Sequence, residues 1–62
     1  MKHNGVPMFR SLRDAETYAA RMGSGHTATQ VYIDDATGYG VMRLSDRQVF
    51  GVGGKPVSGT RW

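Results

Sequence analysis

The chain has no cysteine. Disulfide staples, zinc ribbons and thiol catalysis are therefore excluded, and a small domain must find its stability elsewhere. Large apolar residues are scarce too, with Val, Ile, Leu and Phe supplying eleven of 62 positions. A chain of this length hides only about 60% of the surface its unfolded form exposes. Ordering it costs roughly 1.5 kcal/mol per residue. No apolar run approaches the ~18 residues of a transmembrane helix. Nor does a hydrophobic stretch follow Met1-Lys2-His3-Asn4-Gly5, so no signal peptide is expected. Length alone excludes a multidomain enzyme, a coiled coil and a deep cofactor cavity. The expectation is a marginal cytoplasmic globule with no membrane contact and no cofactor. Burial would come from a second copy or an obligate partner.

Charge is mild. Eight basic residues against five acidic give +3 and a pI near 9.8, carried by six Arg and two Lys. That is too little to unfold the chain by self-repulsion, and the arginine bias suits planar recognition of phosphate or carboxylate.

Along the chain, Asn4-Gly5 is a turn dipeptide, and Pro7 confines Val6 to Phe9 to an edge or a strand start. Residues 1–8 read as a flexible arm. Ser11 with Asp14 three positions on is a capping-box variant that opens a helix at Leu12. Leu12, Ala15, Ala19 and Met22 form its apolar stripe, and Arg13, Thr17 and Arg21 lie opposite. Gly23 is placed for a left-handed C-cap. Thr29 to Ile33 and Tyr39 to Leu44 read as a hairpin around Asp35-Ala36-Thr37-Gly38, with Asp34 pairing Tyr39. That register sets Val31, Ile33, Met42 and Leu44 on a core face, and Tyr32, Tyr39, Val41 and Arg43 on the other. After a turn at Ser45-Asp46-Arg47, a third strand runs from Gln48 to Val52 with Phe50 and Val52 inward. Glycine at 51, 53, 54 and 59 with Pro56 makes residues 53–62 a flexible tail. The fold class is α+β: a single mini-domain over 1–62, with one helix on one face of a three-stranded antiparallel meander.

Most chemical motifs fail on spacing. Gly51-Val52-Gly53-Gly54-Lys55-Pro56 has Val49 where a phosphate loop needs its first Gly, and Pro56 where it needs Ser or Thr. His3, His26 and the aspartates lack metal-ligand spacing, so no metal is expected. Asp34-Asp35 borders a turn, where Asp bonds its own backbone. His26, beside Gly23-Ser24-Gly25, is the one catalytic candidate, because an imidazole titrates near neutrality. The order helix, Gly-Ser-x-His, strand, turn, strand over residues 12–44 resembles the HicA-type toxin family, whose small double-stranded-RNA-binding-like fold cleaves RNA with a histidine. The resemblance implies a ribonuclease using His26. The chain departs from that pattern in the extra Gly25 and in lacking a second helix after the third strand.

The remaining constellation is basic and aromatic. Arg10, Arg13, Arg21, Arg43 and Arg47 with Tyr32 and Tyr39 combine groups that meet phosphates and stack bases. The same residue types enrich protein–protein hot spots. Since the helix covers only one sheet face, the other is expected to carry a partner. The favoured reading is a non-catalytic binding protein that occupies a macromolecular surface, a host protein or a protein–nucleic acid complex. Size and charge suit an accessory or inhibitor protein of a phage or mobile element. A nucleic-acid-binding module comes second, and the His26 ribonuclease third.

Overall fold

The computed structural model describes residues 2–3, 5–33 and 36–57. It is an α+β domain with one helix, a four-stranded antiparallel sheet and a two-stranded hairpin. In chain order these are β1 (Lys2–His3), β2 (Val6–Pro7), α1 (Leu12–Met22), β3 (His26–Ile33), β4 (Ala36–Arg43), β5 (Gln48–Phe50) and β6 (Pro56–Val57). A tight turn over Val52–Gly54 links β5 to β6. The sheet order is β3-β4-β5-β6, so the expected three-stranded meander gains a fourth strand.

The helix forms where its caps place it. Extended Ser11 accepts the Asp14 N–H on its hydroxyl at 3.2 Å, satisfying one of the first-turn donors that have no partner within the helix. At the other end Gly23 sits at φ 102, where a Cβ is disfavoured, and returns its N–H to the Ala19 carbonyl. Ala15 and Ala19 are fully buried, Met22 is half-buried, and Leu12 stays 45% exposed. Small side chains on the buried stripe let the helix axis approach the sheet closely.

The hairpin register differs from the expected one. Tyr39 pairs Gln30 and Ile33 pairs Ala36, so the loop is shorter and Thr37-Gly38 belongs to β4. The expected partner, Asp34, lies outside the described residues, as does Asp35. The shift is four residues, an even number, so each side chain keeps the strand partners' face that alternation assigned it. Val31, Met42, Val49 and Val57 lie on one face; Ala28, Tyr39, Val41 and Phe50 lie on the other.

Which element covers which face is reversed. Val31, Val49 and Val57 cluster with Met8, and half-buried Val6 and Met42 complete the group. The N-terminal hairpin, rather than the helix, covers that face. Val41 on the opposite face is 0% exposed, and the helix lies there with Ala15 and Ala19. The reason is space. Gly40 leaves a hollow on the Val31 face, and Met8 fills it; a Cβ on Gly40 would lie 2.8 Å from Met8 Cε. Gly51 gives the same room to the hairpin backbone, since its Cβ would meet the Pro7 carbonyl at 2.5 Å.

Strand pairing is found inside both segments expected to be flexible. Within the arm over 1–8, Lys2 pairs with Pro7 and His3 with Val6, and Met8 is buried. Of the tail over 53–62, residues 53–57 return to the sheet, with Val57 2% exposed. Gln48 pins that return by donating from Nε2 to the Val57 carbonyl at 2.9 Å. Residues 58–62 lie outside the described residues. Phe50 and Val52 do not form the expected core pair: Val52 is 40% exposed, and Val49, just before Phe50, is the buried residue.

Candidate interaction surfaces

Phe9 extends the sheet in line with β5. Its N–H donates to the Tyr39 carbonyl at 2.9 Å, and it accepts the Tyr39 N–H at 3.2 Å. This fixes Tyr39 at the centre of the sheet, half-buried, with its backbone committed to the N-terminal segment. The Phe9 ring meets Tyr18 of α1 with centroids 5.4 Å apart and planes tilted by 45°. Such an offset geometry suits the quadrupoles of two aromatic rings. Beside this pair a cleft of about 300 Å³ opens between α1 and the Val52–Gly54 turn. It is lined by Phe9, Tyr18 and Val52, with Asp14, Thr17 and Arg21 at its polar side.

Arg13 and Arg21 lie eight residues apart on α1, with Thr17 between them. All three are exposed, as the helical spacing requires. Thr17 donates its hydroxyl back to the Arg13 carbonyl at 2.9 Å. Arg10, just before the helix, is exposed as well. Among the described residues the one ion pair is Arg43 with Asp46, so these three guanidinium groups are unpaired there.

Arg43 is occupied. It donates from Nε and an amino nitrogen to the two Asp46 oxygens, at 2.9 and 2.6 Å, and its guanidinium lies 5.3 Å from the Phe50 centroid. Asp46 also accepts the Gln48 N–H at 3.1 Å. The Arg43 hydrogen bond, helped by that backbone donor, holds the Asp46 carboxyl down at about 2. Arg43, Asp46 and Gln48 thus tie the β4–β5 turn, in which Arg47 takes φ 58 and stays exposed.

The six expected binding residues therefore do not form one surface. Tyr32, Tyr39 and Arg43 share a sheet face, but it is the face under α1. Tyr39 is half-buried, Arg43 is paired, and Tyr32 alone, at 73% exposure, projects beyond the helix. Arg13 and Arg21 form the helix ridge, while Arg47 belongs to a separate turn. What the sequence reading missed is the aromatic cleft, because Phe9 and Val52 come from segments with no periodicity to place them.

His26 opens β3 and lines a second concavity of about 520 Å³ between α1 and β3, with Glu16, Ala19, Ala20, Ser24 and Ala28. Its Nδ1 is shielded and without a hydrogen-bond partner. No cluster of three potential metal ligands occurs among the described residues, and no described helix is long and apolar enough to cross a membrane. The helix–strand–strand order over residues 12–43 is present, but β6 follows the third strand where the resemblance expects a helix. No family model, curated protein or solved structure matches the chain.

Proposed function

We propose that the chain is a non-catalytic binding protein that occupies an acidic surface of a macromolecular partner with the outer side of α1 and the cleft beside it. One observation carries this reading. Arg10, Arg13 and Arg21 are exposed and unpaired among the described residues, and Arg21 sits at the rim of the cleft that Phe9, Tyr18 and Val52 line. Arginine beside aromatic and aliphatic surface is the composition that binding hot spots favour. The guanidinium forks give orientation and encounter rate, and the cleft gives a place to desolvate. Occupying a surface in this way suits an accessory or inhibitor protein acting in the cytoplasm, as size and charge already suggested for a phage or mobile element.

Nucleic acid is the second reading, favoured by the same arginines. It lacks a stacking platform, because α1 and the N-terminal hairpin take the two sheet faces that would present one. The ribonuclease reading of His26 is not adopted. The single ionised group lining its concavity is Glu16, which repels a phosphodiester.

The test is affinity capture with wild-type protein and with the Arg13→Ala/Arg21→Ala double variant, each with and without nuclease treatment. The proposal expects a protein partner that the variant loses and nuclease leaves in place. Capture abolished by nuclease, with nucleic-acid affinity falling steeply as salt rises, moves the function to the second reading. Capture equal for wild type and variant overturns the arginine ridge as the surface.

A further inference from the structure

We infer that two copies of this chain pair antiparallel along the open edge of β3, each laying Tyr32 into the groove between α1 and β3 of the other. The inference stands apart from the arginine ridge, which lies on the outer side of α1.

The edge is open by the logic of the ladder. Tyr39 spends both backbone groups on Phe9, so its β3 partner Gln30 receives none of them. In an antiparallel ladder, hydrogen-bonded and non-bonded pairs alternate. Ala28, Gln30 and Tyr32 therefore all direct N–H and C=O away from β4, and β3 is the terminal strand of the sheet. The alternation is confirmed one pair beyond the strand, where Leu44 donates to the Gly25 carbonyl at 2.7 Å.

Sheet edges are ordinarily blunted by charge, proline, a bulge or brevity. The edge His26-Thr27-Ala28-Thr29-Gln30-Val31-Tyr32-Ile33 is eight residues long and holds no Lys, Arg, Asp, Glu or Pro. Two copies carry +3 each, yet none of that charge faces its counterpart along this strand. On α1 the groove beside that edge is lined by Glu16, Ala19 and Ala20.

The same edge carries a knob and a hole. Tyr32 is 73% exposed and lies on the strand face that holds His26 and Ala28. The hole is the groove lined by Ala19, Ala20, Ala28 and His26. Pairing with Thr29 on the two-fold axis sets Ala28 opposite Gln30 and Tyr32 opposite His26 of the second copy. The ring then covers the small-residue floor beside His26. On the other face Thr27 meets Val31 and Thr29 meets Thr29, β-branched pairs that suit a sheet. The contact is isologous, so each copy gives one knob and one hole. A stable interface clears about 1,000 Å² in total, which is roughly an eighth of each copy's 4134 Å² surface.

The test uses the absence of native cysteine. Thr29→Cys should form a disulfide-linked dimer under mild oxidation, whereas Lys55→Cys, exposed near the opposite edge, should not. Gln30→Pro removes an outward N–H and keeps the ladder to β4, so it should give a folded monomer by sedimentation and circular dichroism. Should Gln30→Pro fail to fold, Tyr32→Ala decides, with an expected rise of about thirtyfold in the dimer dissociation constant for a hot-spot truncation. A wild type that stays monomeric at its highest soluble concentration overturns the proposal, including when its β3 edge takes an added extended peptide instead. A dimer unaffected by Tyr32→Ala, or linked as readily through Lys55→Cys as through Thr29→Cys, overturns it too.

Discussion

Gly40 and Met8 share one place in the core: the side chain that position 40 lacks is replaced by the end of Met8, whose Cε would lie 2.8 Å from a Cβ there. A Cβ on Gly40 would also stand 3.0 Å from the Phe50 carbonyl and from Val49 Cγ1. Met8 can swing away; the Phe50 backbone cannot. Gly51 is tighter, because its first obstacle is the Pro7 carbonyl at 2.5 Å. Gly40→Ala should therefore cost about 1–3 kcal/mol of stability, as overpacking does, and Gly51→Ala should cost more. Urea midpoints at unchanged m-value measure both. Equal midpoints for wild type and Gly51→Ala would mean that the hairpin does not dock on the sheet.

The end of the sheet offers a paired test. Val57 is 2% exposed among Val49, Val31 and Met8, whereas Val52 is 40% exposed on its turn. Val57→Ala should cost on the order of 2 kcal/mol through lost burial and a cavity. Val52→Ala should stay within about 0.5 kcal/mol, as surface changes do. Thermal unfolding of the two variants separates them, and a silent Val57→Ala would put residues 53–57 back in a tail.

The helix was legible because its signals are local. Ser11 with Asp14, the Ala15/Ala19 spacing and Gly23 each act within a few residues. Strand faces were legible as well, since alternation survives any even shift. The register was not, because Thr37-Gly38 carries turn chemistry yet belongs to β4. Nor was the side that α1 covers. Val31, Met42 and Val49 make one apolar face and Ala28, Val41 and Phe50 make another, and nothing local ranks them. Two-residue strands such as Val6–Pro7 and Pro56–Val57 have no period at all, so the cleft built on Phe9 and Val52 was out of reach of pattern reasoning.

Tyr32 and Val31 are neighbours with opposite fates. Val31→Ala removes a side chain that is 1% exposed in the main cluster and should cost about 2 kcal/mol. Tyr32→Ala removes one that its own chain barely covers, so under dilute monomeric conditions the melting temperature should hardly move. If Tyr32→Ala unfolds the dilute protein while Val31→Ala is tolerated, the face assignment of β3 is inverted.

Asp46 gives a signature in pH. Its folded-state value of about 2 lies below the ordinary carboxylate value of 3.8, chiefly through the Arg43 hydrogen bond and then the Gln48 N–H. A depressed carboxylate stabilises the fold above the unfolded-state value, and that contribution is lost as pH falls through the folded-state one. The loss therefore falls between about pH 4 and about pH 2. It is small, because both partners of the pair are about half exposed. The carboxyl carbon of Asp46, followed by NMR, should titrate near 2 in the wild type and return toward 3.8 in Arg43→Ala. Above about pH 4 that substitution should lower stability slightly, and near pH 2 it should leave stability unchanged. A wild-type midpoint near 3.8 would show that the Arg43–Asp46 fork does not persist in solution, and the turn at Arg47 would then lack its tie.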